Sequence, residues 1–401
     1  MRLVKGRESY YNEVALKLVH SRTGLLMNKI LSSIINYIKA TDKLLFIFTL
    51  ATTGYGLLVL YGVLEAFDFG LRGLYIQIAG AVLGLICAII LSKMDYKFLA
   101  KLWKLHVPLA YALVFSTFIL GYGRTGADDI NWIALPFGAS IQPSEFLKIS
   151  FILSFAFHLD KVKENINAPL TLLPLLIHGA VPALLIHFQG DDGTVLVFIF
   201  IFAAMLFAAG LSLRYVAVAA GLGLIAIPIA WNYILSNDQK MRFQAIFTPG
   251  IDPKGIEWQQ NSALISIGSG QLSGNGIFST HRFVDEIQND FIFAFIGESF
   301  GLMGCIAAVV LIFAVATKVL FISRLAKDTL GNSICIGIFT MLTTQTIINV
   351  GMNIKLLPVI GITLPFFSKG GSSILSVFLA VGLALSVYMH NKENLFLDKN
   401  Y

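Results

Sequence analysis

The chain has 401 residues, of which 56% are hydrophobic and only 13% are charged. Soluble domains carry about 25% charged residues, so this composition excludes an ordinary soluble protein and indicates a membrane protein with many spans. The formal net charge of +6 would fit a nucleic-acid-binding protein. However, the basic residues follow membrane topology, and we predict no nucleic-acid partner.

A basic segment, residues 1–42, opens the chain, and we predict that it is cytoplasmic. Apolar residues recur between positions 16 and 35. They predict either a helix lying on the anionic inner leaflet or an ordinary cytoplasmic tail. The first long apolar run is a full span and lies far from Met1, so no cleavable signal peptide is expected.

Ten apolar stretches of about 20 residues follow, each long enough to cross a bilayer as a helix. The eighth is long enough to tilt or to begin outside the bilayer. The predicted fold class is therefore an all-α, polytopic membrane bundle of ten transmembrane helices over residues 43–390, followed by a cytoplasmic tail over 391–401. The predicted spans cover residues 43–63, 72–92, 105–122, 145–160, 169–188, 193–211, 214–234, 290–317, 331–352 and 370–390.

An even number of spans places both termini on one side of the membrane. Of the 29 lysine and arginine residues, 20 fall on the side of the termini and 9 on the other side. The positive-inside rule makes the termini cytoplasmic. The polar segments then fall on the outer face, where we expect the functional site. They are residues 123–148, 189–194, 235–289, which form a large extracellular loop between helices 7 and 8, and 353–373.

Asp290 is the leading candidate for a catalytic residue. It lies at the mouth of an apolar helix, directly before Phe291 and Phe293, and ionisable groups at a membrane boundary are costly and usually functional. An apolar wall that limits solvation of a carboxylate suits a general base. Alternatively, Asp290 is a simple charge partner for the helix dipole. Glu286 shares a face with Asp290 if the helix begins early.

Two further motifs place charged groups at helix starts. Glu145 and Lys148 are three residues apart, directly after Pro143, so they can pair on a helix; the alternative is a well-capped helix start. Asp191 and Asp192 can hold a hard cation such as Mg²⁺ or cap the next helix. Their spacing favours the cap.

The two longest outer segments have different patterns. The loop over 235–289 carries Arg242 and a glycine stretch, Gly268–Gly276, that matches neither a P-loop nor a dinucleotide fingerprint. It predicts a re-entrant or compact surface loop. Residues 356–373 are apolar but interrupted by two prolines and several glycines, which predicts a re-entrant segment lining a site. This second segment contains Lys369.

Together these motifs resemble the SEDS family, which comprises RodA, FtsW and SpoVE. The resemblance covers nearly the whole chain after about residue 40. It is carried by Gln142-Pro143-Ser144-Glu145, the turn 191–194, Ile267-Gly268-Ser269-Gly270, residues 286–293 and residues 357–373.

The resemblance implies a ten-span protein of the bacterial cytoplasmic membrane that polymerises lipid II into peptidoglycan glycan strands. It also implies a class B penicillin-binding protein as partner and a role in elongation, division or sporulation. Asp290 matches the essential aspartate of the family. The charged cavity residues of the family match Glu145, Lys148 and Asp191, with Arg242 at the start of the large loop. We predict that these four residues bind substrate, together with Glu286 and Lys369.

The chain also departs from the family pattern at several positions. The departures are Gly190 for proline, Asp285 for proline, Lys369 for tyrosine, Asn131 for arginine, and Ser262-Ala263 for a Gln-Ser pair.

Within the family, the RodA subgroup is favoured by Met94-Asp95-Tyr96 and Leu357-Pro358-Val359. Other members, which are FtsW- and SpoVE-like, also carry Gly297-Glu298 and Thr363-Leu364-Pro365.

The resulting hypothesis is a lipid II-dependent glycosyltransferase in which Asp290 removes a proton from the acceptor sugar. The leaving pyrophosphate needs cations, either basic side chains or a divalent ion, Mg²⁺ or Mn²⁺; the sequence identifies no metal ligands. Two alternatives are a flippase or transporter for a lipid-linked sugar and a non-catalytic scaffold for a penicillin-binding protein.

Overall fold

A computed structural model describes residue 32 and residues 36–123, 129–248, 250 and 255–397. Helices dominate this part of the chain. They are α1 Lys43–Ala66, α2 Arg72–Lys93, α3 Tyr96–Lys101, α4 Trp103–Leu120, α5 Pro143–Val162, α6 Pro169–His187, α7 Asp192–Ala208, α8 Leu213–Ile229, α9 Asn237–Phe247, α10 Ile256–Ser269, α11 Ile292–Leu325, α12 Thr329–Asn353 and α13 Gly371–Leu397.

Each of the ten predicted spans coincides with one of these helices. Eight helices in the described ranges are long and apolar enough to cross a membrane, namely α1, α2, α4, α6, α8, α11, α12 and α13. Helix α7 has only 17 residues, and α5 includes four charged side chains. The polytopic helical bundle is confirmed, whereas the count of ten spans stays a prediction. The apolar residues that recur between positions 16 and 35 lie outside the described residues.

A small antiparallel sheet occupies the segment between α4 and α5, where the sequence predicted a loop. Its three strands, in order, are β1 Gly121–Tyr122, β2 Trp132–Ala134 and β3 Ser140–Ile141. Ile133 pairs with Gly121 on one side and with Ile141 on the other. Strands β1 and β2 contact α4, and β3 contacts α13.

The centre of the bundle is formed by α12 and α13, most of whose residues are buried. Helix α13 packs along α2, and α12 packs between α7 and α11. Close contacts between backbones need small residues: a Cβ at Gly80 would lie 2.8 Å from the carbonyl oxygen of Gly371. Helix α8, by contrast, has no buried residue and ends in a π-helical turn, Ala230–Ile234.

Helix α11 is broken at Gly301, where φ is 66° and ψ is −165°. Its 34 residues would span about 50 Å, more than the roughly 30 Å of bilayer hydrocarbon. The break divides α11 into a short half-helix, residues 292–300, and a long continuation. All residues of the half-helix except Phe300 are buried.

The glycine stretch fills this break. Asn275 donates its backbone N–H to the carbonyl oxygen of Glu298 at 2.9 Å, and Leu302 donates its N–H to the carbonyl oxygen of Gln271 at 2.8 Å. These bonds satisfy backbone groups that the interrupted helix leaves without partners. The predicted surface loop is therefore a plug that ties the large loop to the half-helix before the kink.

Candidate functional site

The predicted site residues lie at one end of the bundle, which we call the site end. Helices α2, α5, α7, α11 and α13 begin there, and residues 354–370, which we call the covering segment, lie across it. A Cβ at Gly193 would lie 2.2 Å from the carbonyl oxygen of Ile360. The covering segment thus contacts the start of α7 directly.

Asp290 precedes α11 and is only 4% exposed. Its side chain faces the covering segment: a Cβ at Gly361 would lie 3.8 Å from Asp290 Oδ2. Gly361 has φ +73°, a conformation that glycine adopts without strain, and it is exposed. The missing side chain leaves space next to the carboxylate.

Glu145 and Lys148 form a buried ion pair in the first turns of α5. Lys148 Nζ lies 2.8 Å from Glu145 Oε1, and Ser376 on α13 donates its hydroxyl to Glu145 Oε2 at 2.7 Å. The predicted pairing is confirmed. The pair faces the bundle interior, where burial strengthens its electrostatic effect.

Asp191 caps α7, as the sequence favoured. Its Oδ1 accepts the N–H of Thr194 at 2.9 Å, and its Oδ2 accepts from the amides of Gln142 at 2.9 Å and Asn131 at 3.3 Å. Burial raises the pKa of Asp191, while the bonds from Thr194, the charge of Lys148 and the bond from Asn131 oppose this rise. The positive charge of Lys148 therefore acts on both Glu145 and Asp191.

Arg242 lies on α9, within the large loop. Ser236 and Gln239 form a capping box that starts this helix. Arg242 Nη1 donates to the carbonyl oxygen of Val359 at 3.2 Å. The guanidinium therefore contacts the backbone of the covering segment, close to Gly361.

Glu286 lies in a turn and not on a helix, because α11 begins only at Ile292. Its φ of +58° is uncommon for a residue with a side chain. Its carboxylate accepts from the amide of Asn289. The early helix start that would place Glu286 and Asp290 on one face does not occur, and Glu286 instead shapes the turn that leads to Asp290.

Lys369 lies in a cavity of about 170 Å³. Its backbone N–H donates to the carbonyl oxygen of Gln288 at 2.9 Å. Asn289 lines the same cavity, whereas its neighbour Asp290 faces Gly361. The other lining residues are Gly73, Ile76, Tyr122, Trp132, Gly138, Ala139, Ser140, Gly370 and Gly371.

The structure adds site residues that sequence reasoning missed. Arg72 packs against Gly138, where a Cβ would lie 2.4 Å from its Nη2, and so brings a second cation near the Lys369 cavity. Its position at the start of the second predicted span, on the side predicted to be the outer one, was the available signal. Asn349 and Asn353 on α12 bind the backbone of Asp290. Polar residues buried in an apolar helix were the signal there.

Among the described residues, no group of three or more histidine, cysteine, aspartate or glutamate side chains is placed to hold a metal ion. Both carboxylate oxygens of Asp191 already accept hydrogen bonds, and Asp192 pairs with His187. The Asp191–Asp192 turn therefore does not by itself offer a set of metal ligands, and a divalent cation, Mg²⁺ or Mn²⁺, beside the basic side chains stays a prediction.

The bundle and its polar site end define a polytopic membrane protein, and the comparisons with known proteins identify its family. The pattern of the family described as "Cell cycle protein", which covers FtsW, RodA and SpoVE, matches residues 42–393. A probable peptidoglycan glycosyltransferase FtsW from Trichlorobacter lovleyi is 30% identical over 360 residues, covering 86% of this chain and 92% of the relative.

Stage V sporulation protein E of Bacillus subtilis is 31% identical over 373 residues, covering 88% of this chain and 98% of the relative. A solved structure of a peptidoglycan synthase complex has the same fold, with a TM-score of 0.74 at 23% identity, covering 88% of this chain and 98% of that one. The chain belongs to the FtsW/RodA/SpoVE family, the SEDS family of the sequence analysis. The preference for the RodA subgroup stays a prediction.

Proposed function

We propose that this protein is a peptidoglycan glycosyltransferase that polymerises lipid II at the outer face of the bacterial cytoplasmic membrane, with both termini in the cytoplasm. Its relatives are named peptidoglycan glycosyltransferases. The observation that carries the proposal is the placement of Asp290, a buried carboxylate at the site end that faces an exposed glycine of the covering segment.

In the proposed reaction, Asp290 accepts the proton of the acceptor sugar hydroxyl while the hydroxyl oxygen attacks the anomeric carbon of the donor. The bond between that carbon and the pyrophosphate oxygen breaks, and the lipid pyrophosphate leaves with the electron pair. Proton removal by a positioned carboxylate contributes about 10²–10⁴-fold to such reactions. Both substrates have lipid tails, so a site at the end of a membrane bundle suits them.

The negative charge that develops on the pyrophosphate needs cations. Lys369 is the basic residue that lines the cavity at the site end, and Tyr122 and Trp132 supply aromatic surface beside it. Lys148 acts from within the bundle because it is bound to Glu145. Arg242 supports the covering segment through Val359. We therefore assign direct pyrophosphate contact to Lys369.

We further propose a class B penicillin-binding protein as partner, because a glycan polymerase needs a transpeptidase that cross-links its product. The structural likeness to a peptidoglycan synthase complex that coordinates polymerization and crosslinking supports this pairing. A divalent cation would enter with the pyrophosphate of the substrate.

The test uses the purified full-length chain with labelled lipid II, with Mg²⁺ or Mn²⁺ or neither, and with or without a cognate penicillin-binding protein. We expect glycan strands from the wild type and a loss of about 10²–10⁴-fold for Asp290→Asn, which preserves shape but cannot accept a proton. Near-normal strand synthesis by the Asn variant would rule out the base role. Lipid II translocation in proteoliposomes without any polymer would instead support the flippase alternative.

A further inference from the structure

Helix α12 ends at the site end with two asparagines one turn apart. Asn349 and Asn353 are both 0% exposed, and residues four apart share one face of a helix. A buried amide is costly unless its donors and acceptor are satisfied. Here most partners are backbone groups of two segments that meet at Asp290, and Asn353 Nδ2 also lies 3.4 Å from Asn349 Oδ1.

Asn349 joins Asp290, which lies two residues before α11, to the covering segment. Its Nδ2 carries two hydrogens: one is donated to the carbonyl oxygen of Asp290 at 2.9 Å and the other to the carbonyl oxygen of Ile362 at 2.7 Å. Ile362 directly follows Gly361, which faces the Asp290 carboxylate. One amide therefore fixes both sides of the space around that carboxylate.

Asn353 binds the start of α11 from outside. Its Nδ2 donates to the carbonyl oxygen of Asp290 at 2.9 Å, and its Oδ1 accepts the N–H of Ala294 at 3.1 Å. That N–H belongs to the first turn of α11, where donors lack the usual i−4 carbonyl partner, and it also contacts the carbonyl oxygen of Phe291 at 3.0 Å. The amide thus caps α11 and holds the carbonyl of Asp290 at the same time.

We propose that Asn349 and Asn353 are positioning residues for the general base, an inference that rests on the proposed function. Both side chains act on backbone groups around Asp290. Asp290 lies in a turn, so no regular helical hydrogen bonds orient its backbone. The amides of Asn349 and Asn353, on the buried helix α12, hold its carbonyl oxygen instead. A displacement of about 1 Å at a reacting group can cost about 10²-fold in rate.

The decisive variants are Asn349→Asp and Asn353→Asp, which keep size and shape but replace the donating amide nitrogen with oxygen. At position 349 the new oxygen would face two carbonyl oxygens, so the segments should shift apart. We expect kcat to fall by about 10²-fold while the KM for lipid II stays unchanged, since substrate contacts remain. Thr343→Val is the matched control on α12: its hydroxyl bonds only to carbonyls of its own helix, and its kcat should equal the wild type.

Melting temperatures of all variants in detergent separate positioning from folding, and Asn349→Ala and Asn353→Ala provide versions without an added charge. Folded Asp or Ala variants with wild-type kcat would overturn the proposal. So would variants that all fail to fold, since the amides would then be purely structural. If the wild-type protein makes no polymer, the proposed function itself is rejected. If the wild-type protein is active and the variants at Asn349 and Asn353 are equally active, only this inference is rejected.

Discussion

Lys148 and Glu145 are joined by a 2.8 Å contact within α5, and their side chains are only 1% and 5% exposed. Removing one partner leaves an unpaired charge inside the bundle, which typically costs about 3–5 kcal/mol. We therefore expect Glu145→Ala to lower both the melting temperature and the activity. The measurement is thermal unfolding of the purified protein in detergent.

The control for this pair is the double variant Glu145→Gln with Lys148→Met, which removes both charges together. It should recover most of the stability that Glu145→Ala loses, while activity stays low if the charges serve the reaction. Equal stability of the single variant and the wild type would contradict the burial argument. Full activity of the double variant would show that the pair is structural only.

Lys369→Tyr restores the residue that the family usually carries and removes the cation from the cavity. If Lys369 contacts the pyrophosphate, the variant should need more lipid II for half-maximal rate and show a weaker salt dependence, because a charge–charge contact is screened by salt. The alternative is an interfacial lysine that snorkels to water. Lys355→Gln is the control, since Lys355 bonds to Asn261 at 2.8 Å. Unchanged substrate and salt responses in Lys369→Tyr would leave only the snorkelling interpretation.

Asp328 should make the protein acid-sensitive at the opposite end of the bundle. Burial disfavours its charged form, but bonds from Lys97, the N–H of Gly331 and Tyr96 outweigh burial and lower the pKa of Asp328. A carboxylate with a lowered folded-state pKa adds stability above its unfolded pKa, and this stability is lost as pH falls through the folded value.

Wild-type stability should therefore begin to drop below about pH 4, the usual aspartate pKa. Asn can still cap α12, but Asp328→Asn loses the negative charge that pairs with Lys97. The variant should therefore be less stable than the wild type at neutral pH and should show a smaller further loss on acidification. Melting temperatures at pH 7 and in steps down to pH 3 measure both effects. Parallel acid curves for the two proteins would show that Asp328 is not the titrating group.

The plug at the α11 kink offers a matched pair of glycines. Gly274 and Gly276 have φ of +81° and +88°, but a Cβ at Gly274 would lie 2.3 Å from the carbonyl oxygen of Ser299, whereas a Cβ at Gly276 meets nothing within 4 Å. Alanine at either position carries the left-handed penalty of about 1–2 kcal/mol. Only Gly274→Ala should lose clearly more stability and also activity, because it displaces the half-helix that follows Asp290. Equal melting temperatures for the two variants would contradict the plug.

The local features of this fold could be predicted from the sequence. Apolar runs of about 20 residues become helices because hydrocarbon cannot solvate an unpaired backbone, and the helices coincide with those runs. Short spacings were equally informative: Asp191 caps α7, and Glu145 pairs with Lys148, since both relationships span three residues of one segment.

Contacts between distant segments were decided only by the tertiary structure. Asn349 and Asn353 lie 59 and 63 residues from Asp290, and hydrophobic periodicity does not state which backbone a buried amide will bind. The glycine stretch was predicted to be a re-entrant or compact surface loop. Its bonds to α11 could not be predicted, because they depend on the kink of that helix at Gly301. Lys369 lines a cavity with Asn289, the neighbour of Asp290 in the chain, whereas the Asp290 side chain faces Gly361. Their joint role in one site stays a prediction. The positions of the helices follow from the sequence because the bilayer requires each apolar segment, taken alone, to pair its own backbone groups. The site instead depends on packing among segments that lie far apart in the chain.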